Sequence, residues 1–193
     1  MIAVLEAALT VARALEALGV PYLVGGSMAS SFHGEPRTTQ DVDMVVGLKP
    51  KDIEAFVAQL GDNFYAEVSA LGRAVEHRSS ANLIHLPSST KIDLFIMGGT
   101  PVDAKQMARR QRLALPEIDG AHLYVYAPED ILLQKLRWYR LGDGVSERQW
   151  RDVLTLIRVQ HGRLDLDYAR ETAAELGVED LLESALDESS KNR

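Results

Sequence analysis

Val24-Gly25-Gly26-Ser27, followed after thirteen residues by Asp41-Val42-Asp43-Met44-Val45-Val46, is the stretch whose reading decides the fold. Pro21 to Val24 has the apolar character of a short strand, the two glycines mark a turn, and Ser27 to His33 opens a short helix. Glycine lets a backbone come close to a phosphate, and helix-start amides with a serine hydroxyl donate to its oxygens. A strand–turn–helix with Ser27 as a plain N-cap accounts for the same residues. The chain has neither Gly-Lys-Ser/Thr nor GxGxxG, so the fingerprints of P-loop ATPases and dinucleotide-binding folds are absent.

In a strand, residues two apart face the same side, so Asp41 and Asp43 project together while Val42 and Met44 point to the core. Parallel carboxylates on a buried strand repel one another at neutral pH, and a hard cation such as Mg²⁺ relieves that cost. A surface strand with its aspartates turned to water is the plainer alternative. Asp93 weighs against it. It lies in Lys91-Ile92-Asp93-Leu94-Phe95-Ile96, an apolar run where an unpaired carboxylate is costly. A neighbouring strand carrying Asp93 beside Asp41 and Asp43 completes a three-carboxylate cluster of the sort used in two-metal phosphoryl or nucleotidyl transfer. A salt bridge from Lys91 would instead make Asp93 structural.

The rest of the chain sets the frame. It has 193 residues, 46% hydrophobic and 25% charged, no cysteine, and a net charge of −7. That suits one large domain, or a domain with a small appendage, and excludes disulfides, thiolate metal sites and cysteine nucleophiles. No apolar run approaches the roughly 20 residues that span a bilayer. Met1 to Leu18 reads as an amphipathic helix, not a signal peptide, so a cytoplasmic protein is expected. The acidic balance argues against broad binding to long nucleic acid but leaves room for one contact with an RNA end. The basic cluster Lys105, Arg109, Arg110 and Arg112 reads first as a solvated helix face or loop and second as a steering patch for polynucleotide.

The organisation follows from periodicity. A helix over residues 2–18 precedes the first strand, and another runs from Lys49-Pro50 to about Leu60. A short strand falls near Phe64–Val68. The hairpin strands Asn82–Leu86 and Lys91–Met97 flank Pro87-Ser88-Ser89. Val102 to Leu115 is read as partly helical, and His122 to Tyr126 as a strand. From Pro128 the pattern is helical, at about 128–140, 147–160, 166–176 and 179–187. This order predicts an α+β fold: a mixed-sheet head with flanking helices over 1–127, and a helical region over 128–193 packed on it. The five histidines show no metal-ligand spacing. Trp138, Tyr139 and Trp150 read as helix–helix packing before base stacking, and Tyr124 and Tyr126 as half-buried strand residues.

Gly-Gly-Ser, a short helix, Asp-Val-Asp on a strand and a later apolar-Asp-apolar strand resemble the DNA polymerase β-type nucleotidyltransferase superfamily. The approach Arg37-Thr38-Thr39-Gln40-Asp41-Val42-Asp43 is similar to that of the AbiEii/AbiGii toxin-like subgroup. So is Pro128-Glu129-Asp130-Ile131-Leu132-Leu133-Gln134-Lys135-Leu136, followed by Arg148 and Arg151-Asp152-Val153. The resemblance covers roughly residues 20–160. It implies a Mg²⁺-dependent enzyme (Mn²⁺ being the other candidate ion) that moves a nucleoside monophosphate from an NTP such as ATP to a hydroxyl. The acceptor would be tRNA or protein, with an antitoxin as partner. Asp41 and Asp43 would ligate the metal, and Asp93 would be the third carboxylate, closing the second metal site and activating the acceptor hydroxyl. Gly25, Gly26 and Ser27 would hold phosphates, and Lys135 would reach them from its helix. Arg37 would neutralise phosphate or clamp the aspartate loop. Asp152 would orient Lys135 or the Arg148 region, or form a plain salt bridge. The rival reading is a catalytically silent nucleotide-binding module of the same fold.

Overall fold

A computed structural model describes residues 2–36 and 39–191. By contacts the chain divides into two compact units, one built from residues 1–28 and 38–125, the other from 29–37 and 126–193.

The first unit is a seven-stranded sheet with helices. Its strands are β1 (Tyr22–Val24), β2 (Asp41–Val46), β3 (Phe64–Tyr65), β4 (Ser80–His85), β5 (Thr90–Ile96), β6 (Gln111–Ala114) and β7 (His122–Val125). They lie in the order β3-β4-β5-β2-β1-β7-β6. β2 runs parallel to β5 and β1 parallel to β7, while the other neighbours are antiparallel. The sheet is therefore mixed, as expected. The helices are α1 (Ile2–Ala17), α3 (Ile53–Leu60, after a single 3-10 turn over Pro50–Asp52), α4 (Val68–His77) and α5 (Pro101–Arg109). Helix α2 (Gly26–His33) starts in this unit and ends in the other.

Alternation of side chains gives the sheet two different faces. Val42, Met44 and Val46 on β2, Ile92 and Leu94 on β5, and Ala81 and Leu83 on β4 are buried in the core. They share it with Leu5, Leu9 and Leu15 of α1 and Phe56 of α3. The intervening residues Asp41, Asp43, Lys91, Asp93, Asn82, Ile84 and Tyr65 are exposed or half-buried and line the opposite face. Such a two-faced pattern is what an antiparallel or mixed sheet with one covered side requires.

The second unit contains α6 (Pro128–Leu141), α7 (Glu147–Val159), α8 (Leu166–Leu176) and α9 (Glu179–Lys191). Ile131, Leu132, Leu133 and Leu136 bury one side of α6, which packs against α7, α8 and α9. The segment after the first turn of α2 belongs here. Gly34 lies so near α7 that a Cβ on it would meet Thr155 and Leu156, and Glu35 pairs with Arg158. Gln160 Nε2 donates to the His33 carbonyl at 2.6 Å.

Three segments differ from the sequence reading. Val68–His77 is a helix whose buried side is only Leu71 and Ala74, too narrow a stripe to stand out in a polar run. Gln111–Ala114 is a separate edge strand, not the end of the preceding helix, because it pairs with β7 from Gln111↔Val125 to Ala114↔His122. Local periodicity does not report that non-local partner. Trp138 is 53% exposed, whereas Tyr139 and Trp150 meet with ring centroids 5.2 Å apart.

Candidate active site

The register of β1 on β2 places Val24 opposite Met44. One residue further, the Gly25 amide donates to the Asp43 carbonyl at 2.8 Å. The glycine turn is thus tied to the strand that carries the paired aspartates. Gly26 has φ +54°, in the left-handed region that L side chains adopt at a cost. A Cβ on it would fall 1.8 Å from Asp43 Oδ2 and 2.6 Å from Cγ. The Asp43 carboxylate fills the space that a side chain would take. Two independent constraints therefore demand glycine here, and Ser27 follows as the second residue of α2.

The parallel pairing of β2 and β5 aligns Asp41 with Lys91 and Asp43 with Asp93. Neighbouring strands are about 4.8 Å apart, so Asp43 and Asp93 stand side by side on the open face. Antiparallel pairing then sets Asn82 beside Asp93 and Ile84 beside Lys91, and Tyr65 beside Ile84. Two ionised carboxylates about 5 Å apart repel by roughly 3 kcal/mol at an effective dielectric of about 20.

One cation already answers that repulsion. Lys91 Nζ donates to Asp93 Oδ2 at 2.9 Å, as the salt-bridge alternative from the sequence has it. This hydrogen bond raises the pKa of the Lys91 ammonium above its ordinary value; burial opposes the rise, and the charges of Asp93, Asp41 and Asp43 add to it. Among the described residues no three acidic or histidine side chains converge closely enough to enclose a metal ion as they stand. Their chemistry nevertheless fits a hard divalent cation. Asp41, Asp43 and Asp93 offer only carboxylate oxygens on one face, and the missing Cβ of Gly26 leaves the Asp43 carboxylate its room.

The other candidates fall elsewhere. Lys135 is in the second unit, its side chain 6% exposed and its Nζ 2.7 Å from Asp152 Oδ2. It also donates to Gln149 Oε1 at 3.2 Å. Asp152 therefore pairs with Lys135, one of the alternatives that the family resemblance left open for it. Arg37 lies outside the described residues. The basic cluster is more engaged than a solvated face. Arg110 Nη1 donates to the Met107 carbonyl at 2.7 Å and its guanidinium lies over the Tyr124 ring, while Arg112 meets His122 Nδ1 at 3.1 Å. Asn82 and Gln149 were not among the expected site residues. The exposed–buried alternation Ser80-Ala81-Asn82-Leu83-Ile84 is the signal that places Asn82 on the carboxylate face. Gln149 offers none, since its contact depends on the packing of α7 on α6.

Residues 10–191 match the model of the family described as nucleotidyl transferase AbiEii toxin, type IV toxin–antitoxin system. The chain belongs to the AbiEii family. It is accordingly a nucleotidyltransferase. No curated protein matches the sequence. Among solved structures, an antigenic nucleotidyltransferase-like protein from Paracoccidioides brasiliensis is similar at 21% identity and a TM-score of 0.52, covering 93% of this chain and 90% of its own. The antibiotic-resistance factor ANT(2'')-Ia is similar at 15% identity and a TM-score of 0.52, covering 97% and 98%. These likenesses show a nucleotidyltransferase-like α+β fold. The family places the chain within toxin–antitoxin systems. No helix among the described residues is long and apolar enough to cross a membrane.

Proposed function

We propose that this chain transfers a nucleoside monophosphate from a Mg²⁺-bound NTP to a hydroxyl of tRNA or protein in the cytoplasm, as a toxin restrained by a cognate antitoxin. The observation that carries the reading is the placing of Gly26 against the Asp43 carboxylate, with Asp93 in register beside it. When bound, the divalent ion would neutralise the triphosphate and the charge that develops at the α-phosphorus. Asp41 and Asp43 would hold it, and Asp93 would complete the set.

This chain's own groups do the rest. The backbone at Gly25 and Gly26 and the Ser27 hydroxyl cradle the phosphates. Asp93 accepts the proton of the acceptor hydroxyl as its oxygen bonds to the α-phosphorus and the bond to the pyrophosphate oxygen breaks. The products are the nucleotidylated acceptor and pyrophosphate. Most of the acceleration comes from position and fixed charge. The open face running on to Asn82, Ile84 and Tyr65 leaves the acceptor a way in.

The test is incubation of the full chain with each α-³²P-labelled NTP, Mg²⁺, total RNA and cell extract. Label on tRNA-sized RNA supports the RNA acceptor, and label on polypeptide supports the protein acceptor. The ion pair of Lys91 with Asp93 favours one other reading, a nucleotide-binding module without turnover. Calorimetry with ATP separates the two. ATP binding that ignores both Mg²⁺ and Asp43→Ala would establish the silent module and remove the enzyme.

A further inference from the structure

We infer that Lys91 is a built-in counter-ion that stands in for the divalent cation in the metal-free protein and gives way when the cation binds. The inference rests on the proposed metal-binding role of Asp41, Asp43 and Asp93. Lys91 is the register partner of Asp41 and lies two residues from Asp93 on the same strand face. Its ammonium sits 2.9 Å from an oxygen of Asp93, whose side chain is 16% exposed. A carboxylate so shielded, next to Asp43, needs a positive neighbour in the absence of metal. Lys91 supplies it, and feels the charge of all three aspartates.

The same geometry lets it leave. The Lys91 side chain is 46% exposed, and four methylene groups carry its charge on a flexible stem, so the ammonium can turn to water without disturbing β5. A buried lysine fixed by several acceptors could not. The ammonium and a divalent ion compete for the same Asp93 oxygen. Lys91 thus balances the charge of the cluster before metal arrives, and sets how strongly metal must bind to displace it.

The full-length wild type, Lys91→Met, Lys91→Arg and Asp43→Ala are compared in chelator and in MgCl₂, by thermal melting and by calorimetric titration with Mg²⁺ alone. Lys91→Met melts below wild type in chelator and closes that gap in Mg²⁺. It binds Mg²⁺ roughly fivefold more tightly, the scale of a part-exposed ion pair, while Lys91→Arg behaves as wild type. A gap between Lys91→Met and wild type that Mg²⁺ leaves unchanged, with equal Mg²⁺ affinity, overturns the counter-ion role while the metal site stands. Mg²⁺ that neither binds nor stabilises wild type, with Asp43→Ala indistinguishable from it, overturns the metal reading and this inference together.

Discussion

At the scale of single residues, the most constrained position is Gly26. Its positive φ and the Asp43 carboxylate at its α-carbon act together. Gly26→Ala should push Asp43 aside by an ångström or more. Displacements of that size at a reacting centre cost about a hundredfold in rate. Transfer should fall by about that factor while far-ultraviolet circular dichroism stays native. A Gly26→Ala enzyme with wild-type turnover would show that Asp43 does not have to be where the structure puts it. His33 is constrained in another way. It is 5% exposed, and its Nε2 faces the Tyr126 carbonyl at 2.6 Å. A carbonyl only accepts, so Nε2 carries a proton. Burial lowers its pKa below the ordinary 6.5, and the Tyr126 carbonyl and the charge of Glu129 only partly offset this. The unfolded chain therefore takes up its proton first as pH falls. Stability from His33 is complete above 6.5 and declines as pH drops from there through the folded pKa. Urea midpoints across that window should fall for wild type and fall less for His33→Gln, which keeps a donor for Tyr126.

Elements show where a sequence can be read and where it cannot. The three aspartates were legible because each interrupts an apolar strand, and strand alternation alone puts Asp41 and Asp43 on one side. That Asp93 lands beside Asp43, and not one strand away, is a matter of pairing that no local pattern contains. The edge strand β6 escaped for the same reason, and α4 because its apolar stripe is so thin. The salt bridge of Lys135 on α6 to Asp152 on α7 joins residues seventeen apart in sequence, a pairing that helical spacing does not contain and that only the family resemblance offered, as one alternative. That pair is nearly enclosed, with side chains 6% and 14% exposed. Removing one partner of such a pair strands the other charge. Lys135→Met should destabilise the chain by roughly 3 kcal/mol. Adding Asp152→Leu should recover most of it, and urea unfolding of the four members of the cycle gives the coupling. A Lys135→Met protein as stable as wild type would mean that Asp152 has another partner ready.

For the whole molecule, charge limits how a polynucleotide could be held. The chain carries a net −7, and its one basic concentration is Lys105, Arg109, Arg110 and Arg112, of which Arg110 and Arg112 already contact Tyr124 and His122. Even if all four met phosphates, at about 0.7 counter-ion each for a single strand, log affinity against log salt would slope no more steeply than about −3. Filter binding of RNA over a range of KCl concentrations measures that slope, and a value twice as steep would reveal a positive surface that the sequence hides.

The path of α2 has a consequence for how the protein is made. His33, Gly34 and Glu35 follow the glycine turn, and their partners Thr155, Leu156, Arg158 and Gln160 come more than a hundred residues after them in sequence. On the ribosome, where chains emerge from the N-terminus, the glycine turn and the paired aspartates are synthesised more than a hundred residues before the helix that anchors His33 to Glu35. A nascent chain stalled at residue 127 would have its aspartates but nothing to hold that segment. Under the proposed function, this ordering delays competence until α7 has been synthesised.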